Sequence, residues 1–161
     1  MIVAADAGPL IALARIGQFG LLRLVYGELH IPEAVHSEVT RADDSMPGVA
    51  GLASSSWVHV VAVQDRTAVL LLQGSLDAGE SEAIVLAIEI RADMLLMDER
   101  KGRRMAEAYG LTKTGTVGTL VLAKRRGLAP CITPLLDDLL GTGFRLSATL
   151  YHAARSLAGE A

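Results

Sequence analysis

Short apolar runs that stop at an acid, a glycine or a proline alternate along this chain with stretches in which apolar positions recur every three or four residues. Ile2-Val3-Ala4-Ala5 is such a run, ended by Asp6, and Leu10-Ile11-Ala12-Leu13-Ala14 follows with Pro9 near the first helical position. The pattern predicts a buried strand feeding a helix. Leu21, Leu22, Leu24 and Val25 mark a second helix ending near Gly27, Leu29-His30-Ile31 a short strand, and Pro32 the start of a helix through Thr40. The stretch from Arg41 to Ser56, with Asp43, Asp44, Pro47, Gly48 and Gly51, reads as a long connection with room for one short helix. Trp57 to Val63 predicts a strand, since Val58, Val60, Val61 and Val63 are β-branched.

The second half repeats the alternation. Asp77 or Ser75 caps a helix from Gly79 to about Arg91, and Ala92 to Met97 is a buried strand stopping at Asp98. A helix from Arg100 to Tyr109 ends at Gly110, and Leu111 to Thr114 is a last short strand. Gly115 to Arg126 is a helix closed by Gly127, Thr133-Pro134 starts another, and Ser147 caps a final one through Leu157. Strands alternating with helices predict an α/β fold, a parallel sheet of about four to five strands covered on both faces. Such sheets place their sites at the carboxyl ends of the strands.

A chain of 161 residues is the length of one domain, expected to span 1–161. With 51% hydrophobic and 20% charged residues it is not a disordered protein. Its apolar runs fall far short of the roughly 20 residues of a membrane-spanning helix. The N-terminus lacks the basic start and apolar core of a secretory signal, so a cytoplasmic protein is expected. Cys131 is the lone cysteine, and His30, His36, His59 and His152 fall in no metal-ligand spacing, which excludes a zinc cluster and an internal disulfide. The net charge of −3 divides unevenly: Asp98 to Arg126 carries eight basic residues and three acids, +5, leaving −8 elsewhere. The total argues against tight nonspecific nucleic-acid binding, while a local basic face still steers a phosphate backbone.

Asp6 and Asp98 terminate buried strands, and Glu80 lies in the first turn of a helix leading back to the sheet, so all three gather at one sheet edge. Glu80 is in phase with Ala83, Ile84 and Ala87 and so points inward. Glu82, about 200° round the helix, points elsewhere and reads as solvated, or as the third acid if the helix starts differently. Each acid alone also reads as a helix cap or a favourable charge on a helix dipole. Gathered carboxylates repel one another unless a cation neutralises them. With no zinc ligands, a hard oxygen-binding ion fits, and Mg²⁺ is commonly held by few carboxylates plus a substrate phosphate. Such an ion assists attack of water on phosphorus.

Through DAGPLIALARIG at 6–17, IPEAVHSEV at 31–39, DAGESEAIVLA at 77–87, ADMLLMDERKGRRMA at 92–106, GTVGTLVLAKRRGL at 115–128 and GFRLS at 143–147, the chain resembles the PIN domain over nearly its whole length. Within that family it resembles stand-alone prokaryotic proteins similar to the toxins of VapBC-type toxin–antitoxin pairs. The resemblance implies a three-layer α/β/α fold and an acidic pocket that binds Mg²⁺ or Mn²⁺ and hydrolyses RNA phosphodiesters. It implies Asp6, Glu38, Glu80 and Asp98 as catalytic and metal-binding residues, with Glu38 as ligand or water-orienting base. It further implies a small antitoxin that inserts a basic side chain into the pocket, and a homodimer. Glu38 shares a helix face with Ala34, Val35 and Ala42, though it sits roughly 9 Å along the helix from its start.

Two positions depart from the family pattern: Glu80 stands where Asp is usual, and Ala7-Gly8 follows the first acid where a Ser or Thr often orients it. Thr116 and Thr119 read as a helix N-cap and an ordinary helix threonine, or as hydroxyls facing the same edge. Arg103 and Arg104, one turn beyond Asp98, read as contacts to substrate phosphates or as solubilising charges. No phosphate loop of the GxxxxGKS type, no GxSxG elbow and no Cys/His pair is present, against an NTPase or covalent catalysis. A phosphatase of the haloacid-dehalogenase type needs a second acid where Gly8 stands, and a receiver domain wants an acid paired with Asp6. The sequence thus predicts a Mg²⁺/Mn²⁺-dependent endoribonuclease, the alternative being an inactive module of the same fold that binds protein or RNA.

Overall fold

The residues expected to form strands are too apolar to face water: Val3, Ala4, Ala5, Leu29, Ile31, Leu95 and Leu96 are all completely buried. In a computed structural model, which describes residues 1–45, 51 and 54–161, they form the middle of a five-stranded sheet. The chain runs β1 (Val3–Ala5), α1 (Ala7–Arg15), α2 (Phe19–Tyr26), β2 (Leu29–Ile31), α3 (Glu33–Ser45), β3 (Val58–Val60) and α4 (Arg66–Leu72). It continues through α5 (Ala78–Glu89), β4 (Met94–Leu96), α6 (Arg100–Ala108), β5 (Lys113–Thr114), α7 (Thr116–Arg125), α8 (Thr133–Gly141) and α9 (Ala148–Leu157).

All strand pairs are parallel and the order is β3-β2-β1-β4-β5. The chain builds outward from β1 to β3 on one side, then crosses back to place β4 and β5 on the other. The sheet therefore changes direction between β1 and β4, where Ala5 pairs with Leu96. At such a switch point the loops leaving the carboxyl ends of the two strands part and leave a crevice. Helices cover both faces, which completes the three-layer α/β/α arrangement.

One helix is unlike the rest. From Gly79 to Ala87 every residue of α5 is buried, because the helix packs against β1 and β4 below and is flanked by α3, α4 and α6. A helix that is apolar around its circumference belongs in a core, yet this one carries Glu80 and Glu82 there. Their partners decide what the site is.

The observed elements depart from expectation in three places. Helix α3 continues to Ser45, past Thr40 and into the stretch read as a connection, and residues 46–50 and 52–53 of that stretch lie outside the described ones. The strands are shorter than the apolar runs that contain them, notably β3 within Trp57 to Val63. Helix α4 was not expected: Asp65 caps it by accepting from the Ala68 amide at 3.0 Å, but only Val69 and Leu72 are buried. Its Leu70 and Leu71 are 69% and 76% exposed, so its apolar pattern does not trace its buried face.

Candidate active site

The first acid is placed by the ladder itself. The Asp6 amide donates to the Leu96 carbonyl at 2.9 Å, extending the β1–β4 pairing by one residue and turning the side chain into the crevice. Asp6 stands at the N-cap position of α1 but makes no side-chain cap bond, so its carboxylate is not consumed by the helix end. It is only 6% exposed.

Asp98 comes from the neighbouring strand. Met97 donates to the Thr114 carbonyl at 2.8 Å, which carries the β4–β5 pairing to the end of both strands, and Asp98 is the next residue. Its Oδ1 accepts from the Thr116 amide at 2.8 Å and its Oδ2 from the Thr116 hydroxyl at 2.6 Å. Thr116 is therefore not the N-cap of α7, a position held by Gly115, but the residue that orients Asp98. Gly115 has to be glycine for space, since a Cβ there would collide with Asp98 Oδ1. Thr119 is different: its hydroxyl donates to the Gly115 carbonyl at 2.9 Å and meets the Tyr26 hydroxyl at 2.8 Å, wholly buried between α2 and α7.

From above, α5 brings its first turn down onto Asp6. A Cβ at Gly79 would stand 3.4 Å from Asp6 Oδ1, ordinary van der Waals contact, which places the start of α5 directly against the first acid. Asp77 caps α5, its Oδ1 accepting from the Glu80 amide at 2.8 Å. Glu80 is buried under Gly102 of α6, 3.3 Å from where a Cβ would lie. Glu82 turns the other way. It is 7% exposed and not solvated, because it accepts from the Ala34 amide at 3.1 Å and from Arg66 at 3.2 Å, joining α5 to the N-terminus of α3 and to α4. Both carboxylate oxygens are engaged there. Glu82 is a structural anchor, and Glu80 is the α5 acid beside Asp6.

Glu38 lies one turn and a little more past Ala34 on α3, half-buried and lining the same cavity as Asp6 and Asp98. The electrostatics register the crowding. Burial lifts the Asp6 carboxyl from 3.8 to about 7, opposed by the Ala7 amide and helped by the charges of Glu38, Asp77 and Asp98. Burial, a hydrogen bond to Asp77 and the charges of Asp77, Asp6 and Glu99 hold Glu80 well above the usual range. Glu38 is raised by burial and by Asp77, against Arg41. Asp98 is raised by burial and by Glu99, although the two bonds from Thr116 and the nearby Arg103 pull it down. Asp77 and Glu99 thus belong to the acidic cluster too. Sequence reading treated Asp77 as a cap alone, and its place two residues before Gly79 was the signal that it shares the Asp6 side of α5.

The cavity lined by Asp6, Glu38, Asp98 and Glu99, with Glu80 and Asp77 not part of its lining, is open to solvent and has a volume of about 1240 Å³. That exceeds the roughly 300–1,000 Å³ of small-molecule pockets. Its other walls are cationic, formed by Arg15, Arg100, Arg103, Arg104, Lys113 and Arg145. Arg103 turns inward, donating to the Met97 carbonyl at 2.9 Å beside Asp98, whereas Arg104 stays exposed on the rim. The donor set is oxygen only, and its proton affinities are raised first by burial and then by the neighbouring acids, a combination that a hard cation relieves. Among the described residues no three His, Cys, Asp or Glu side chains are gathered tightly enough to hold an ion between them. The fit is to an ion held by one or two carboxylates with waters and substrate oxygens completing its shell, as is usual for Mg²⁺. Asp6 and Asp98 would be those carboxylates, with Glu38 and Glu80 within the same field.

Among the described residues no helix is long and apolar enough to cross a membrane. A family model described as a PIN domain matches residues 2–160, essentially the whole chain. No curated protein matches it.

Proposed function

Because the chain belongs to the PIN-domain family, a nuclease fold, we propose that it is a Mg²⁺- or Mn²⁺-dependent endoribonuclease whose chemistry takes place between Asp6 and Asp98. The observation that carries this reading is their placement at the ends of adjacent strands astride the switch point, with the Asp6 carboxyl driven to about 7 by burial among acids. A fold does not ordinarily maintain so unfavourable a cluster for stability alone.

Asp6 and Asp98 would hold the ion, which when bound supplies positive charge against the phosphoryl oxygens and acidifies the attacking water. The chain's own residues do the rest. Thr116 fixes the rotamer of Asp98 through its hydroxyl and amide, so the carboxylate is aimed before substrate arrives. Glu38 orients the attacking water and takes its proton at a carboxylate oxygen. Glu80, whose carboxyl is held well above the usual range by burial and by Asp77, backs Asp6 from the first turn of α5. The cationic rim draws the backbone into the groove. No covalent intermediate is involved.

The same reading makes the protein the cytoplasmic toxin of a two-protein system. A small antitoxin would place a basic side chain among the unneutralised carboxylates, and the chain would act as a homodimer. The ribonuclease assignment is tested by incubating the native chain and Asp98→Asn with a mixed RNA pool in Mg²⁺. Loss of cleavage in a variant that still unfolds cooperatively supports it. Cleavage surviving in Asp98→Asn refutes it, and a folded native chain that cuts nothing points to the binding module instead.

A further inference from the structure

The cavity has one wall that the acid chemistry does not use. Residues 143–146 form a short strap between α8 and α9, and Gly143, Phe144 and Arg145 all line the cavity that Asp6, Glu38 and Asp98 line. The strap is pinned at both ends. At its start, the Gly143 amide donates to the Leu140 carbonyl at 3.1 Å and the Phe144 amide to the Leu139 carbonyl at 3.2 Å. Those two bonds, with Gly143 at φ +87°, are the Schellman closure of a helix, which sets the residue after the glycine against the last apolar turn. A side chain at 143 would be strained there. At its end, Ser147 caps α9 by accepting from the Leu150 amide at 3.1 Å. The two helices are tied together in turn, since the Glu160 carboxylate accepts from the Ile132 and Thr133 amides and the Thr133 hydroxyl at the start of α8.

Phe144 is therefore a partly buried ring in a fixed position, packed against the core on one side while it lines the cavity. The next side chain, Arg145, is exposed. Among the described residues Arg145, Arg104 and Arg100 take part in no ion pair, although acids line the same cavity. A ring held rigidly beside unpaired guanidinium groups is the combination that receives a nucleotide: the ring offers a face to a base and the cation a partner to its phosphate.

We infer that the Gly143–Arg145 strap is the substrate-binding wall of the groove, with an unpaired base stacking on Phe144 and the adjoining phosphate held by Arg145. A base in a duplex already has both faces covered, so this wall selects single-stranded or looped RNA. The inference rests on the ribonuclease reading for the identity of the strand, and its test separates the two.

The test measures fluorescence anisotropy of a labelled oligoadenylate, an abasic ribose-phosphate chain of the same length and an RNA duplex, in Ca²⁺ to neutralise the acids. Phe144→Leu, which keeps an apolar side chain against the core, should bind oligoadenylate about tenfold more weakly and the abasic chain unchanged. Phe144→Trp should bind at least as tightly as the native chain. Arg145→Gln, at an exposed position, should weaken binding to both single strands and reduce the salt dependence by about 0.7 of a counterion. Duplex binding equal to single-strand binding, or equal losses on both strands from Phe144→Leu, overturns the inference. So does an acidic peptide that binds the strap where RNA does not. Cleavage measured in parallel with Mg²⁺ distinguishes the failures. Unaltered KM in these variants of an active nuclease defeats the strap alone, while base-dependent binding by a chain that never cuts defeats the nuclease reading alone.

Discussion

Replacing Asp6 by Asn should make the metal-free protein more stable while abolishing its activity. The carboxyl is 6% exposed, makes no side-chain cap bond, and has its pKa raised from 3.8 to about 7. An acid with a raised folded pKa binds its proton more tightly in the native than in the unfolded state, so native stability falls as pH rises from about 4 through 7. At about 1.4 kcal/mol per pKa unit, the ionised side chain costs the fold up to about 4 kcal/mol once pH is above 7. Asparagine is nearly isosteric and carries none of that cost. For a chain of this size, about 1 kcal/mol moves the melting temperature by roughly 2–4 °C. Thermal melts in EDTA at pH 4, 6 and 8 should show Asp6→Asn and native chain close together at pH 4, with the variant melting roughly 8–16 °C higher at pH 8. Saturating Mg²⁺ should raise the native melting temperature at pH 8 and leave the variant's nearly unmoved. A variant less stable than native at pH 8, or a gap independent of pH, refutes the claim that Asp6 is held against its own electrostatics.

Three other perturbations follow from the same contacts. Thr116→Val removes the 2.6 Å hydroxyl bond to Asp98 and should lower kcat about tenfold or more at unchanged KM in steady-state cleavage, with Thr116→Ser restoring it. Glu82→Gln weakens the bridge from α5 to Arg66 and Ala34 and should destabilise the chain by about 1–3 kcal/mol in urea unfolding, through loss of charge-assisted hydrogen bonds. Glu160 is held at a pKa of about 2 by Thr133, Ile132 and Lys124, so its contribution is complete above about 4.5 and fades as pH falls toward 2. Melts of Glu160→Gln should therefore lie below native at pH 7 and converge with it in acid.

The pattern of the chain made the strand-end acids legible because two facts suffice: a buried strand has to stop, and in a parallel sheet every strand stops at the same edge. Asp6 and Asp98 are thus found without knowing what touches them. Glu80 also followed from phase on its helix. Glu82 did not, because helical phase gives a direction and not the occupant: the sequence places it away from Glu80, but only the fold puts α3 and Arg66 there. The same limit hid the role of Thr116, whose partner is 18 residues away. Arg103, read as a phosphate contact or a solubilising charge, turns inward because a backbone carbonyl, invisible to composition, lies beneath it. Helix α4 escaped because two of its leucines face outward, so the usual apolar stripe is absent. Glu38 came only with the family resemblance. Its half-buried position on the cavity wall depends on how α3 is inclined, which local pattern does not encode.

The central claim is that the carboxylates of Asp6 and Asp98 carry a divalent ion that hydrolyses RNA. Its most direct test is single-turnover cleavage of a mixed single-stranded RNA pool by the native chain in Mg²⁺, then with EDTA, then with Mn²⁺ added back, with Asp6→Asn carried through the same steps. Cleavage by the native chain should stop with EDTA, return with Mn²⁺ and never occur in Asp6→Asn. Cleavage that persists in EDTA, or that Asp6→Asn retains, contradicts the claim.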